Sequence, residues 1–173
     1  MTTIFCEPLT AQNYQPFGSV VAARTDVTPT KANLNTADRY NFLADLQNLR
    51  GDQAKANLCV FRCRPMIPKD IARFDIKLLE RHPSSSQLFV PMQSGTRFLV
   101  VVALGASAPD LSTLRAFWGQ SGHGITYQPG IWHHPLIVVG EPADFVCIVW
   151  ENGRPDDCET LPLSPHVQIQ LDK

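Results

Sequence analysis

Gly124-Ile-Thr-Tyr-Gln-Pro-Gly130-Ile-Trp-His133-His134-Pro-Leu136 is the stretch that decides the reading of this chain. Pro129-Gly130 is a turn signal between segments rich in β-branched and aromatic residues, so the stretch reads as strand, tight turn, strand. Two adjacent histidines follow the turn. Successive side chains of a strand point to opposite faces, so only one of them faces inward. Imidazole is the commonest metal-ligating side chain, and a histidine entering a barrel just past a glycine turn is well placed to serve as one. The plain alternative is that both are hydrogen-bonded packing residues.

Working outward, the flanking chain is mostly β. Residues 133–139 and 144–150 follow the turn, and 114–118, 98–104, 87–91, 74–80 and 56–64 precede it as short apolar or alternating runs. In the last of these Leu58, Val60 and Arg62 share one face and Cys59, Phe61 and Cys63 the other. Many short strands punctuated by turn signals at near-regular spacing indicate a sandwich or barrel rather than βαβ units. Residues 8–13 read as a short helical piece and 17–21 as a first strand. Residues 25–37 read as a loop carrying Asn33 and leading into Arg39-Tyr40. Residues 45–56 hold one helical turn stopped by Gly51. Beyond Glu151 the tail is polar and proline-rich and is expected to wrap the outside.

A length of 173 residues suits one domain, 1–173, with a sizeable core. Fifteen basic against 16 acidic residues give no electrostatic case for nucleic acid or a membrane surface. No apolar run is long enough for a spanning helix, and the N-terminus lacks the marks of a signal peptide. Five cysteines (Cys6, Cys59, Cys63, Cys147 and Cys158) are odd in number and lack paired zinc spacing, so reduced thiols in a cytoplasmic protein are expected. Nothing places a basic partner beside any of them, so none is read as a nucleophile.

A second constellation lies upstream in Glu80-Arg-His82-Pro-Ser-Ser-Ser-Gln87. Cupin barrels carry their metal ligands on a His-x-His motif followed by Glu, and on a later Pro-x-Gly-x-x-His motif. The first resembles Glu80-x-His82 with Gln87 here, and the second Gln128-x-Gly130-x-x-His133. Glu80 and His82 share a strand parity, so both can point into one cavity, with Gln87 arriving from the next strand. A neutral Gln is a weaker ligand for a first-row metal than the motif's Glu. Each residue has a blander reading: Glu80 as a solvated charge beside Arg81, His82 as a turn residue before proline, Arg39-Tyr40 as structural. Arg62 on an apolar face reads as buried, and a substrate carboxylate would answer its charge.

Several blocks together resemble the ureidoglycolate lyase family: Leu79-Glu-Arg-His-Pro-x3-Gln-x-Phe-x-Pro91, Val101-Val-Ala-Leu-Gly105, Pro109-Asp-Leu-x-x-Leu-Arg-Ala-Phe117 and Trp132-His-His-Pro-Leu136, with Val60-Phe-Arg62-x-x-Pro65, Asn33 and Arg39-Tyr40. The resemblance implies a mainly β, cupin-like barrel (double-stranded β-helix) with a few short helices. It also implies a homodimer and cleavage of (S)-ureidoglycolate to glyoxylate and urea in allantoin breakdown. A divalent metal is implied, with nickel favoured.

On this reading Glu80, His82 and His133 are ligands or acid–base groups, with Gln87 as ligand or orienting group. Arg62, or else Arg39, grips the substrate carboxylate, with Tyr40 beside it. His134 packs away, or contacts substrate if the two histidines' faces are exchanged. One departure stands out: Val149-Trp150 where the family usually has Asp-Arg. It keeps open an amidohydrolase or isomerase on a related ureido or keto acid, and the weak ligand set keeps open a non-catalytic glyoxylate-binding regulator.

Overall fold

A computed structural model describes residues 3–171, so the outermost residues of the expected 1–173 unit lie outside the described residues. The strands, in chain order, are β1 (Thr3–Pro8), β2 (Val20–Val21), β3 (Thr30–Ala32), β4 (Ala37–Arg39), β5 (Lys55–Cys63), β6 (Pro65–Ile67), β7 (Arg73–Arg81) and β8 (Gln87–Pro91). They continue as β9 (Arg97–Ala103), β10 (Arg115–Gln120), β11 (Gly124–Tyr127), β12 (Trp132–His133), β13 (Ile137–Val139), β14 (Ala143–Glu151) and β15 (Glu159–Gln170). One short helix, α1 (Ala11–Tyr14), starts at Thr10, whose hydroxyl accepts from the Asn13 backbone N–H.

The larger sheet runs β10-β1-β15-β7-β12-β9-β13-β6, and β9 pairs with β10 as well, closing the sheet on itself. The smaller sheet, β2-β11-β8-β14-β5, packs against it. The mainly β barrel read from the sequence is therefore the observed architecture. Strand β9 shows why its apolar run is unbroken. Phe98, Val100 and Val102 pack between the sheets with Phe89, Phe117 and Phe145, whereas Leu99, Val101 and Ala103 fill the other side with Ile76, Leu79 and Ile169. Both faces of the strand are buried, so no polar alternation is tolerated.

Four expectations are corrected. The tail does not wrap the outside: Glu159–Gln170 is a central strand between β1 and β7, with Leu163, Val167 and Ile169 buried. A strand precedes the short helix, because Thr3–Pro8 pairs in parallel with both β10 and β15. The presumed loop at 25–37 contains a strand and leads into a second, forming the β3–β4 hairpin, a separate sheet. Gly51 begins a 3-10 turn (Gly51–Gln53), at φ +54°, rather than ending one. The run at 133–139 divides at Pro135 into β12 and β13, as expected where a residue has no N–H to donate.

Candidate active site

The turn at Pro129-Gly130 carries the chain from the smaller sheet into the larger. Gly130 sits at φ +78° and its N–H donates to the His82 carbonyl at 2.9 Å, which fixes the turn over the end of β7. Past the turn, His133 lies opposite Glu80 in the β12–β7 ladder. Directly opposed residues share a face, so the register itself brings imidazole and carboxylate together. His133 Nε2 stands 3.6 Å from Glu80 Oε1, and donor atoms of Glu80, His82 and His133 all lie within 4.8 Å of one another.

These three residues sit in a cavity of about 310 Å³ between the two sheets. The smaller sheet contributes Phe61, Cys63, Gln87 and Phe89 to its wall; Cys158, Pro135 and Leu136 complete it. Gln87, the other expected ligand, therefore faces the same space. Tyr127 stacks on the His133 ring at 4.0 Å between centroids, and the His82 ring lies near-parallel to it at 5.7 Å.

The ring orientations are set from behind. His82 Nδ1–H donates to the Asp157 carbonyl at 2.9 Å, and His133 Nδ1–H to the Ile131 carbonyl at 2.9 Å. A carbonyl only accepts, so each Nδ1 is the protonated nitrogen and each Nε2 keeps a lone pair for the cavity. Asp157 is itself anchored: its carboxylate accepts the backbone N–H of Gly153 at 2.7 Å and binds the Arg50 guanidinium.

Burial lowers the proton affinity of both rings, and it holds the His133 pKa at about 3 despite its carbonyl partner. Burial pushes Glu80 up, against the opposing hydrogen bond from the Cys158 thiol at 3.8 Å. Among the described residues, His133 Nε2 and Gln87 Oε1 are buried without a hydrogen-bond partner. Two orphaned lone pairs beside a carboxylate that lacks a counter-charge form a donor set that fits a divalent metal.

The remaining expected residues stand elsewhere. His134 turns away, its Nδ1 on the Pro135 carbonyl at 2.7 Å and its ring edge-on to Phe74. Arg62 is not buried. Its side chain is 80% exposed and forks onto Asp144 with two 3.0 Å bonds. The parity split within β5 holds, but Leu58, Val60 and Arg62 form the outer face. That face reads as interior because it is apolar: Leu58 aligns with Ile148 and Leu88, and Val60 with Val146 and Val90. Arg39 and Tyr40 lie on the β3–β4 arm, outside the cavity. The departure at 149–150 places Val149 opposite Gln87 and Trp150 on the outer face.

Sequence reasoning missed Cys158. It reaches the cavity because β15 pairs with β7, Thr160 opposite Glu80 and Glu159 opposite Arg81, which brings the preceding residue alongside the site.

A β-barrel that collects two imidazoles and a carboxylate in a pocket between its sheets belongs to the class of barrels whose donor set fits a divalent metal. The profile of the ureidoglycolate lyase family matches residues 1–170, and the chain belongs to that family. Relatives named ureidoglycolate lyase include one from Pseudomonas syringae pv. tomato, 33% identical, spanning 99% of this chain and 96% of its own. Another, from Schizosaccharomyces pombe, is 31% identical over 96% of this chain and 94% of its own. A third, from Brucella melitensis biotype 1, is 37% identical over 91% and 88%. Among solved structures, a formate complex of Lactobacillus farciminis oxalate decarboxylase is similar with a TM-score of 0.41 and 17% identity, over 80% of this chain and 34% of that one.

Proposed function

We infer that this chain cleaves (S)-ureidoglycolate to glyoxylate and urea in the degradation of allantoin, as a cytoplasmic homodimer. The observation that carries this reading is the meeting of Glu80, His82 and His133 in one pocket of a chain that belongs to the ureidoglycolate lyase family. His82, His133, Glu80 and Gln87 would hold a divalent metal, for which nickel is the proposed identity. Bound there, a divalent cation would acidify a substrate hydroxyl and fix its orientation.

The chain's own groups supply the rest. Breaking the C–N bond requires that the hydroxyl O–H electrons become the new C=O bond while the C–N electrons leave on the urea nitrogen, which takes a proton. Glu80 Oε2, half-buried and with proton affinity raised by that burial, is suited to accept the hydroxyl proton and pass it to that nitrogen. The Cys158 thiol, on the same oxygen, holds the carboxylate in place. Phe61 and Phe89, edge-to-face at 5.2 Å, form an apolar wall that keeps water from the forming aldehyde.

The apolar rows on the outer face of β5, β14 and β8 support the dimer, since a contiguous apolar patch of this kind marks an interaction surface. The five unpaired thiols accord with the cytoplasm.

The test is product analysis with (S)-ureidoglycolate, on chelator-treated protein and again after nickel is restored. Glyoxylate and urea in equal amounts, dependent on metal, support the reading. Ammonia in place of urea, or no turnover with the metal restored, overturns it.

A further inference from the structure

The cavity has a chemical gap. Among the described residues no lysine or arginine lines it, so apart from the proposed metal a ureidoglycolate carboxylate would meet no cationic side chain there. Arg62, the nearest expectation from sequence, is engaged by Asp144 on the outer face.

The β3–β4 arm shows the complementary lack. It pairs with no other sheet among the described residues, and its two three-residue strands are held by their own ladder and the Lys31–Asp38 ion pair at 2.7 Å. A hairpin of that size has little stability of its own. Yet it presents Leu34 at 98% exposure and Phe42 at 102%, both with left-handed backbone at φ +56° and +55°. Bulky residues persist in that region only where contacts hold them, and their own protomer leaves both side chains bare. Arg39, between them, forms no ion pair among the described residues.

The receiving surface is at the cavity mouth. Strand β5 is the last strand of its sheet, with β14 as its one neighbour, so its other edge is unpaired among the described residues. Phe61, 42% exposed, stands on that strand at the mouth. Each copy thus carries an apolar arm with an unpaired cation and an apolar mouth that lacks one. A two-fold arrangement satisfies both at once, because the same two patches meet twice.

We propose that the arm at residues 30–42 docks on the cavity mouth of a second copy and delivers Arg39 to the substrate carboxylate bound there. This rests on the ureidoglycolate reading for its ligand, and on the exposed arm and unpaired edge for its geometry.

Two measurements test it. The first needs no substrate. Phe42→Cys, treated with a short thiol cross-linker, is expected to join to native Cys63 as a covalent dimer, and Cys63→Ser is expected to abolish the product. A product confined within one chain means that the arm closes over its own cavity, and overturns the proposal, as does no product at all. The second is complementation. Arg39→Ala and Glu80→Gln are each expected to lose about 100-fold or more in kcat/KM, as buried charged partners do. Refolded together in equal amounts, they are expected to recover roughly a quarter of wild-type activity, since half the dimers are mixed and each mixed dimer has one intact site. Wild-type turnover with no recovery on mixing overturns the proposal and leaves the lyase reading standing. An intermolecular cross-link through Phe42→Cys, together with a wild type that produces no urea, overturns the lyase reading and leaves the docking standing.

Discussion

Arg50→Ala tests how the site is held from behind. The Arg50 side chain is 12% exposed and that of Asp157 10%, so their ion pair is close to buried. Arg50 Nη2 also donates to the Asp156 carbonyl at 2.9 Å. Removing one partner of a buried pair costs about 3–5 kcal/mol because the other charge is left uncompensated. Here the lower end is expected, since the backbone N–H groups of Asn152, Gly153 and Arg154 still reach the Asp157 carboxylate. At roughly 2–4 °C per kcal/mol for a chain of this size, a loss of about 3 kcal/mol lowers Tm by about 6–12 °C. The same loop presents the Asp157 carbonyl to His82 Nδ1. Loosening it frees the ring, and loss of such an outer partner typically weakens metal binding by about 10–100-fold. Thermal unfolding of metal-free protein and calorimetric nickel titration read the two effects separately. Arg50→Lys keeps the charge without the fork and should fall between. An Arg50→Ala variant with unchanged Tm would refute the buried-pair argument. One with a lowered Tm but wild-type nickel affinity would refute the role of Asp157 in orienting His82.

Glu80→Gln and His133→Ala should each abolish the proposed nickel binding, measured by equilibrium dialysis, while His134→Ala keeps it and loses stability instead. In the metal-free protein, burial holds the His133 pKa at about 3 against its usual 6.5, so on acidification the unfolded chain takes up a proton the fold refuses. Stability should therefore fall as pH drops below about 6.5, and His133→Gln should make that slope shallower by up to about 1.4 kcal/mol per pH unit in denaturant titrations. Glu80, shifted upward, acts in the opposite sense: its contribution is full below about pH 4.5 and fades as pH rises through its folded value. Tyr127 buries a hydroxyl with no partner among the described residues, so Tyr127→Phe should stabilise by about 1 kcal/mol; a loss would mean that the hydroxyl is bonded in solution. Val60→Lys, on the exposed apolar row, should convert the proposed dimer to monomer in sedimentation equilibrium.

How much was legible depended on whether the deciding contacts were local. Strand β9 and the turn at Gly130 could be read because burial on both faces and a positive φ leave direct marks on composition. Strand β15 carried its mark too: Leu161, Leu163, Val167 and Ile169 alternate with polar residues or proline, broken at Pro165. Pro162 and Pro165 hid it, since proline argues against a central strand. The structure accommodates them where the β15–β7 register shifts, between Pro162 and Val167. At the site, the parity of Glu80 with His82 is local and readable. The pairing of His133 with Glu80 and the approach of Cys158 are products of sheet order, which spacing does not encode.

Arg62 shows the sharper limit. Alternation tells which residues share a face but not which face is inside; that inference assumes that the apolar side is buried within the chain. In β5 the assumption fails because both faces are apolar. Cys59 and Cys63 turn inward with Phe61, while Leu58 and Val60 turn out, at 72% and 58% exposure. An edge strand apolar on both sides has two neighbours to satisfy, one within the chain and one outside it. Phe61 and Cys63 line the cavity from the same strand whose outer face carries the subunit contact in the proposed dimer. The strand that shapes the pocket is thus the one a second copy would brace, which ties the geometry of the site to assembly.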